Sequence, residues 1–207
     1  MSNIDYEVRD EVAHVRINRP EKHNGLTLDM IDDLAKAADR AKNDRSLRAV
    51  ILSGEGSSFS SGLDFASAGK EQRRLLMNFV PKRISAANNF QAAGWAWRSV
   101  PAPVIAVVHG HCYGGGLQIA LGADFRYASS EADFSILEAK WGLIPDMSIS
   151  ASIAQLTTID VAKRLTMTGE MFSAKQALDW GIVTGVSADP MKDALELVDK
   201  LKERSPD

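Results

Sequence analysis

Two stretches of this 207-residue chain are apolar without interruption: Ala49-Val50-Ile51-Leu52 and Val104-Ile105-Ala106-Val107-Val108. A strand with one wet face alternates apolar and polar residues, whereas an unbroken apolar run of this length fits a strand buried on both faces. Two such strands demand a sheet covered on either side, and both run into glycine-rich sequence. The rest of the chain supplies the cover. Val12-Ala13-His14-Val15-Arg16-Ile17 alternates with period two and predicts a half-buried strand. Thr27 is placed to cap a helix in which Leu28, Ile31, Leu34, Ala35, Ala38 and Ala41 recur at helical spacing, with Asp29, Asp32 and Asp33 early, where the helix dipole favours anions.

Further along, 70–98 reads as mainly helical, a short helix is expected after Gly116, and a strand near Phe125–Ala128. Ser173-Ala174-Lys175-Gln176 has the form of a capping box, and Gly181 is placed to end the helix that follows. A last strand is predicted over Ile182–Val186 and a last helix over Met191–Lys202. Buried strands alternating with helices predict an α/β fold. With 45% hydrophobic residues and no repeat or linker, residues 1–207 are expected to form one domain.

Composition narrows the partners. The net charge is −3, with no basic excess to draw nucleic acid. Cys112 is the single cysteine, so no intrachain disulfide can form. The first residues are mixed and acidic, unlike a signal or transit peptide, and the longest apolar run is far too short to span a bilayer. A cytoplasmic protein without a membrane partner is expected.

The chemistry is expected in the turns beyond the two buried strands, where sheets of this kind place ligands. The first is Gly54-Glu55-Gly56-Ser57-Ser58-Phe59-Ser60-Ser61-Gly62-Leu63-Asp64, and the second runs from His109 through Gly114-Gly115-Gly116 to Gln118. Three glycines at a helix start let a backbone approach a ligand and leave N–H groups pointing outward, although a glycine triplet by itself is more often only a tight turn. Residues 115 and 118 share one face of that first helical turn. Other readings of these turns are weaker. Phe59 stands where a dinucleotide fingerprint needs its third glycine. His109, His111 and Cys112 lack a second cluster at ligand spacing, so no metal is expected. Ser60 and Ser61 are not in a nucleophile-elbow sequence.

Taken in order, several segments resemble the enoyl-CoA hydratase/isomerase (crotonase) family. They are Asn18-Arg19-Pro20-Glu21-Lys22-His23-Asn24-Gly25-Leu26, Phe59-Ser60-Ser61-Gly62-Leu63-Asp64, and Pro103 to Gly110 running into Gly114-Gly115-Gly116. Ala128-Ser129-Ser130 with Phe134 and Glu138, Gly142-Leu143-Ile144-Pro145, and Leu165-Thr166-Met167-Thr168-Gly169 complete the set. The resemblance implies a crotonase-like spiral of ββα units with helices packed on the sheets, and assembly as a homotrimer or homohexamer. It implies an acyl-CoA substrate, with coenzyme A as part of the substrate and no separate cofactor. The thioester oxygen would be held by the backbone N–H groups of Leu63 and Gly115. Coenzyme A would lie along Arg19, Lys22, His23 and Gly25, with Asp64 also counted among the contacts and Arg19 or Lys22 near phosphate.

The resemblance also exposes a departure. The family's hydratases use two glutamates, which map to Gln118 and Glu138, and glutamine cannot exchange a proton as a carboxyl does; it could only hold a water or orient a neighbour. Asp146, after Gly142-Leu143-Ile144-Pro145, resembles the second acid of the family's double-bond isomerases; equally, it stands where it could cap a helix beginning near Ser148. Three functions follow: isomerisation by Glu138 and Asp146, hydration by Glu138 with a water held by Gln118, or acyl-CoA binding without catalysis. The acyl pocket is expected from Leu75, Leu76, Met77, Phe79, Phe90 and Trp97, unless these only pack the core. Members of the family continue in further helices where this chain stops at Asp207, so those helices are expected to be absent or truncated.

Overall fold

The computed structural model describes residues 3–80 and 87–205. Strands β1 (Ile4–Arg9) and β2 (Val12–Ile17) form a hairpin, followed by helix α1 (Leu28–Asn43) and strand β3 (Ala49–Gly54). Helices α2 (Phe65–Ala68), α3 (Gln72–Asn78) and α4 (Asn89–Trp95) lead to strands β4 (Val104–Val108) and β5 (His111–Tyr113) and helix α5 (Gly115–Ala120). The chain continues through β6 (Phe125–Ser129), β7 (Asp133–Ser135), α6 (Ile149–Ile153), α7 (Ile159–Thr168), β8 (Met171–Ser173), α8 (Ala174–Asp179), β9 (Gly185–Ser187) and α9 (Pro190–Lys202).

The strands form two sheets, one in the order β1-β2-β3-β4-β6-β9 and a smaller one in the order β5-β7-β8. The pairs β4/β5 and β6/β7 each send their first strand to the large sheet and their second to the small one. Two isolated parallel bridges, Leu26 to Leu63 and Ser60 to Cys112, extend the same alternation to the turns after β2 and β3. The result is a staircase of ββα units, as expected. Both unbroken apolar runs are central parallel strands, paired Val50 to Val104 and Leu52 to Ala106. One sheet face carries the main core. On the other, Ile51, Ile105 and Val107 pack against Ala194 and Val198 of α9.

Thr27 accepts a hydrogen bond from Met30 N–H and starts α1, and Ser173 forms the predicted capping box with Gln176. Two expectations need correction. Ile182–Thr184 do not join the last strand, because Gly181 adopts φ 73° and turns the chain so that Ile182 and Val183 N–H both bond Ala177 O; β9 begins at Gly185. The glycine helix starts at Gly115, inside the triplet. The stretch 70–98 is mainly helical where it is described, as expected, though in short pieces, and 81–86 falls outside the described residues. No helix among the described residues is long and apolar enough to cross a membrane.

Candidate active site

The two turns beyond β3 and β4 meet. Gly62 has φ 88°, and a Cβ added there would lie 2.9 Å from Tyr113 O and 3.5 Å from Gly115 N, so only glycine lets the strands approach this closely. Neighbouring amides are engaged: Gly62 N–H donates to Ser60 Oγ, Asp64 N–H to Leu26 O, and Gly114 N–H to Ser135 O. The Leu63 and Gly115 N–H groups have no acceptor among the described residues, and both residues line one cavity of about 310 Å³. Gly115 opens α5, where the first N–H groups of a helix have no intrahelical partner.

The same cavity is lined by Gln118, Glu138 and Asp146. Gln118 is 1% exposed. Met147 N–H donates to its Oε1 at 2.9 Å, which leaves Nε2 to donate to Glu138 Oε1 at 2.7 Å. Glu138 Oε2 is buried and accepts no hydrogen bond from the described protein groups. Glu138 sits in a 3₁₀ turn, Leu137–Trp141, that leaves the small sheet just after β7. Burial raises its pKa above the ordinary carboxyl value; the Gln118 hydrogen bond opposes this, and the charge of Asp146 adds a smaller push upward. Burial also raises Asp146. Its alternative reading as a helix cap is not met. α6 begins at Ile149, its N-cap is Ser148 at φ 75°, and no side chain caps it.

The expected coenzyme A segment packs beside this site. Arg19 donates to Gly25 O and to Asp64, each at 2.8 Å, tying the segment to the Leu63 turn. Burial pushes Asp64 up, but the Arg19 guanidinium and the Ser67 N–H outweigh it and hold the carboxyl below its usual value. Asp64 also caps α2. Gly25 faces Ser61, a cavity residue, with 3.4 Å between its ideal Cβ position and Ser61 Oγ. His23 Nδ1 lies 3.2 Å from Ser58 Oγ, and Lys22 is exposed to solvent. Among the described residues, no three His, Cys, Asp or Glu side chains gather as a metal site would require.

The apolar walls differ from expectation. Phe79 and Phe90 line the cavity, but Trp97 is buried in the core with its indole N–H on Ala93 O, and Leu76 and Met77 face solvent. Phe65, Trp141, Leu143, Ile144 and Met147, with Leu26 and Leu137, also line the cavity and were not anticipated there. Phe65 immediately follows the Leu63-Asp64 turn, Trp141, Leu143 and Ile144 lie within the Glu138–Asp146 segment and Met147 directly follows it, so proximity to the motifs was the available signal.

Two unbonded backbone N–H groups and two half-buried carboxyl residues thus share the lining of one largely apolar cavity. The chain belongs to the enoyl-CoA hydratase/isomerase family, whose sequence profile matches residues 7–207. It is 30% identical over 184 residues to the (E)-benzylidenesuccinyl-CoA hydratase of Thauera aromatica, covering 88% of this chain and 69% of that one. It is 32% identical over 184 residues to the peroxisomal Δ(3,5)-Δ(2,4)-dienoyl-CoA isomerase of Arabidopsis thaliana, covering 84% and 65%. The chain thus spans about two thirds of the length of these relatives. A crystal structure of an enoyl-CoA hydratase from Mycobacterium avium subsp. paratuberculosis superposes with a TM-score of 0.85 at 30% identity, over 99% of this chain and 77% of that one.

Proposed function

We propose that the protein isomerises a double bond in an acyl-CoA, with Glu138 and Asp146 exchanging protons and the Leu63 and Gly115 N–H groups holding the thioester oxygen. The observation that carries this reading is the engagement of Gln118. Each end of its amide has a protein partner, Glu138 and Met147 N–H, which fixes the side chain as an orienting group for the Glu138 carboxyl. The two groups left to move protons are Glu138 and Asp146, both raised by burial toward the range useful for acid–base work.

In the reaction, one carboxyl starts ionised and removes a proton from the α-carbon. The electron pair moves through the conjugated system and places negative charge on the thioester oxygen, where two preorganised donors meet it; loss of one such donor typically costs about 10²–10³ in rate. The other carboxyl starts protonated and delivers its proton to the far carbon. The two carboxyls end with their protonation states exchanged and must swap protons before the next turnover. Coenzyme A would enter along 22–25, past Ser61. The exposed Ile159 and Met167 of α7 are consistent with the expected homotrimer or homohexamer, and a cytoplasmic location is retained from the sequence.

The test is a panel of 2-enoyl-, 3-enoyl- and 3,5-dienoyl-CoA thioesters followed by ultraviolet absorbance and product mass. Isomerisation conserves mass, with a new conjugated chromophore from the 3-enoyl or 3,5-dienoyl compound. Gain of one water from the 2-enoyl compound alone would overturn the assignment in favour of hydration. Asp146→Asn should lower isomerase turnover by about 10²–10⁴, and full activity in that variant would reduce the machinery to Glu138 alone.

A further inference from the structure

The cavity walls carry information about the acyl group. About 310 Å³ lies at the low end of the ~300–1,000 Å³ range for small-molecule pockets. Its inner side ends on packed core, since Phe90 is 3% exposed and Met147 5%, and both belong to the main apolar cluster. Among the described residues, a long chain running inward past these two would displace core side chains.

Four of the wall residues are aromatic, and they stand as two pairs. Phe65 and Trp141 have ring centroids 5.4 Å apart and planes tilted by 45°; Phe79 and Phe90 are 4.8 Å apart and tilted by 35°. Tilted pairs at these distances present both ring faces and ring edges, which a third ring can meet in edge-to-face or offset contact. A polymethylene chain gains only ordinary dispersion there. The charged groups in the lining are Glu138 and Asp146, and no basic side chain among the described residues joins them. A second carboxylate on the acyl group would be buried beside like charge without a counterion, which is costly.

We infer that the acyl group handled here is compact, uncharged and aryl-bearing, its ring held between the Phe65–Trp141 and Phe79–Phe90 pairs. This rests on the acyl-CoA reading above. It excludes both long straight chains and dicarboxylic acyl groups as good substrates.

The test uses saturated thioesters, which bind without reacting, so that pocket preference is read apart from catalysis. Dissociation constants are measured by calorimetry for 3-phenylpropanoyl-CoA, for nonanoyl-CoA with the same number of acyl carbons, and for 3-(4-carboxyphenyl)propanoyl-CoA. The phenyl compound should bind about tenfold more tightly than the nonanoyl compound, the order expected of one or two aromatic contacts. The carboxyphenyl compound should bind at least about tenfold more weakly than the phenyl compound. Phe79 is 45% exposed, so Phe79→Leu is a mild change to the fold. It should cut the phenyl-over-nonanoyl preference to about threefold or less while leaving nonanoyl affinity in place. Equal or tighter binding of nonanoyl-CoA, or an equal loss for both ligands in Phe79→Leu, overturns the aryl assignment and leaves the acyl-CoA reading standing. Failure of all three thioesters to bind overturns both.

Discussion

Glu138 is held between two opposing demands. The proposed reaction needs it to exchange a proton, yet burial disfavours its charge and lifts its pKa above the ordinary 4.5. Between the ordinary and the raised value, the folded protein binds this proton more tightly than the unfolded chain does. The stability tied to this group is therefore full below about 4.5 and is lost as pH rises through the raised value. Glu138→Gln removes the titration and keeps an oxygen that can accept from Gln118. It should lower turnover by about 10²–10⁴ and raise the melting temperature at pH 8, with the gain closing by pH 4. Equal melting temperatures at pH 8 would contradict the desolvated environment on which the acid–base assignment rests.

At the scale of elements, α3 packs Leu75 on the core and is tied to α1 by charge. Its Leu76 and Met77 face solvent, while Arg74 reaches Asp29 at 2.6 Å and Asp32 at 2.9 Å on α1, and Glu71 at 3.0 Å. The helix leads directly to Phe79 in the cavity wall, so this cluster sets where that wall stands. Arg74→Ala should raise KM several-fold with little change in kcat and flatten the dependence of KM on salt, since partly exposed ion pairs are screened. A fall in kcat at constant KM would place the effect in the chemistry. The same elements mark what sequence could reveal. α1 was legible because Leu28, Ile31, Leu34, Ala38 and Ala41 form a buried stripe behind a Thr27 cap. α3 has no such stripe, and Ile182-Val183 imitates a strand although both residues are buried in a turn against α8.

Across the whole molecule, the site joins turns distant in sequence, and this decides which parts of it could be read in advance. Leu63, Gly115, Gln118, Glu138 and Asp146 sit in recognisable motifs, and all five line one cavity. That Gln118 could orient a neighbour was legible from its chemistry, but its partners were not, nor was the role of Arg19, since a guanidinium that ties two turns together shows itself only by its partners. Phe65, Trp141 and Ile144 belong to segments without periodicity, and only folding gathers them into a wall. The bridges Leu26–Leu63 and Ser60–Cys112 braid three of these turns together. Within the braid, Leu63 N–H lies between Gly62 and Asp64, whose amides are both bonded. Viewed through deuterium uptake, the braid should therefore appear as a protected block with a gap one amide wide. Leu63 should take up label faster than either neighbour, and a bound acyl thioester should close the gap by slowing that single site.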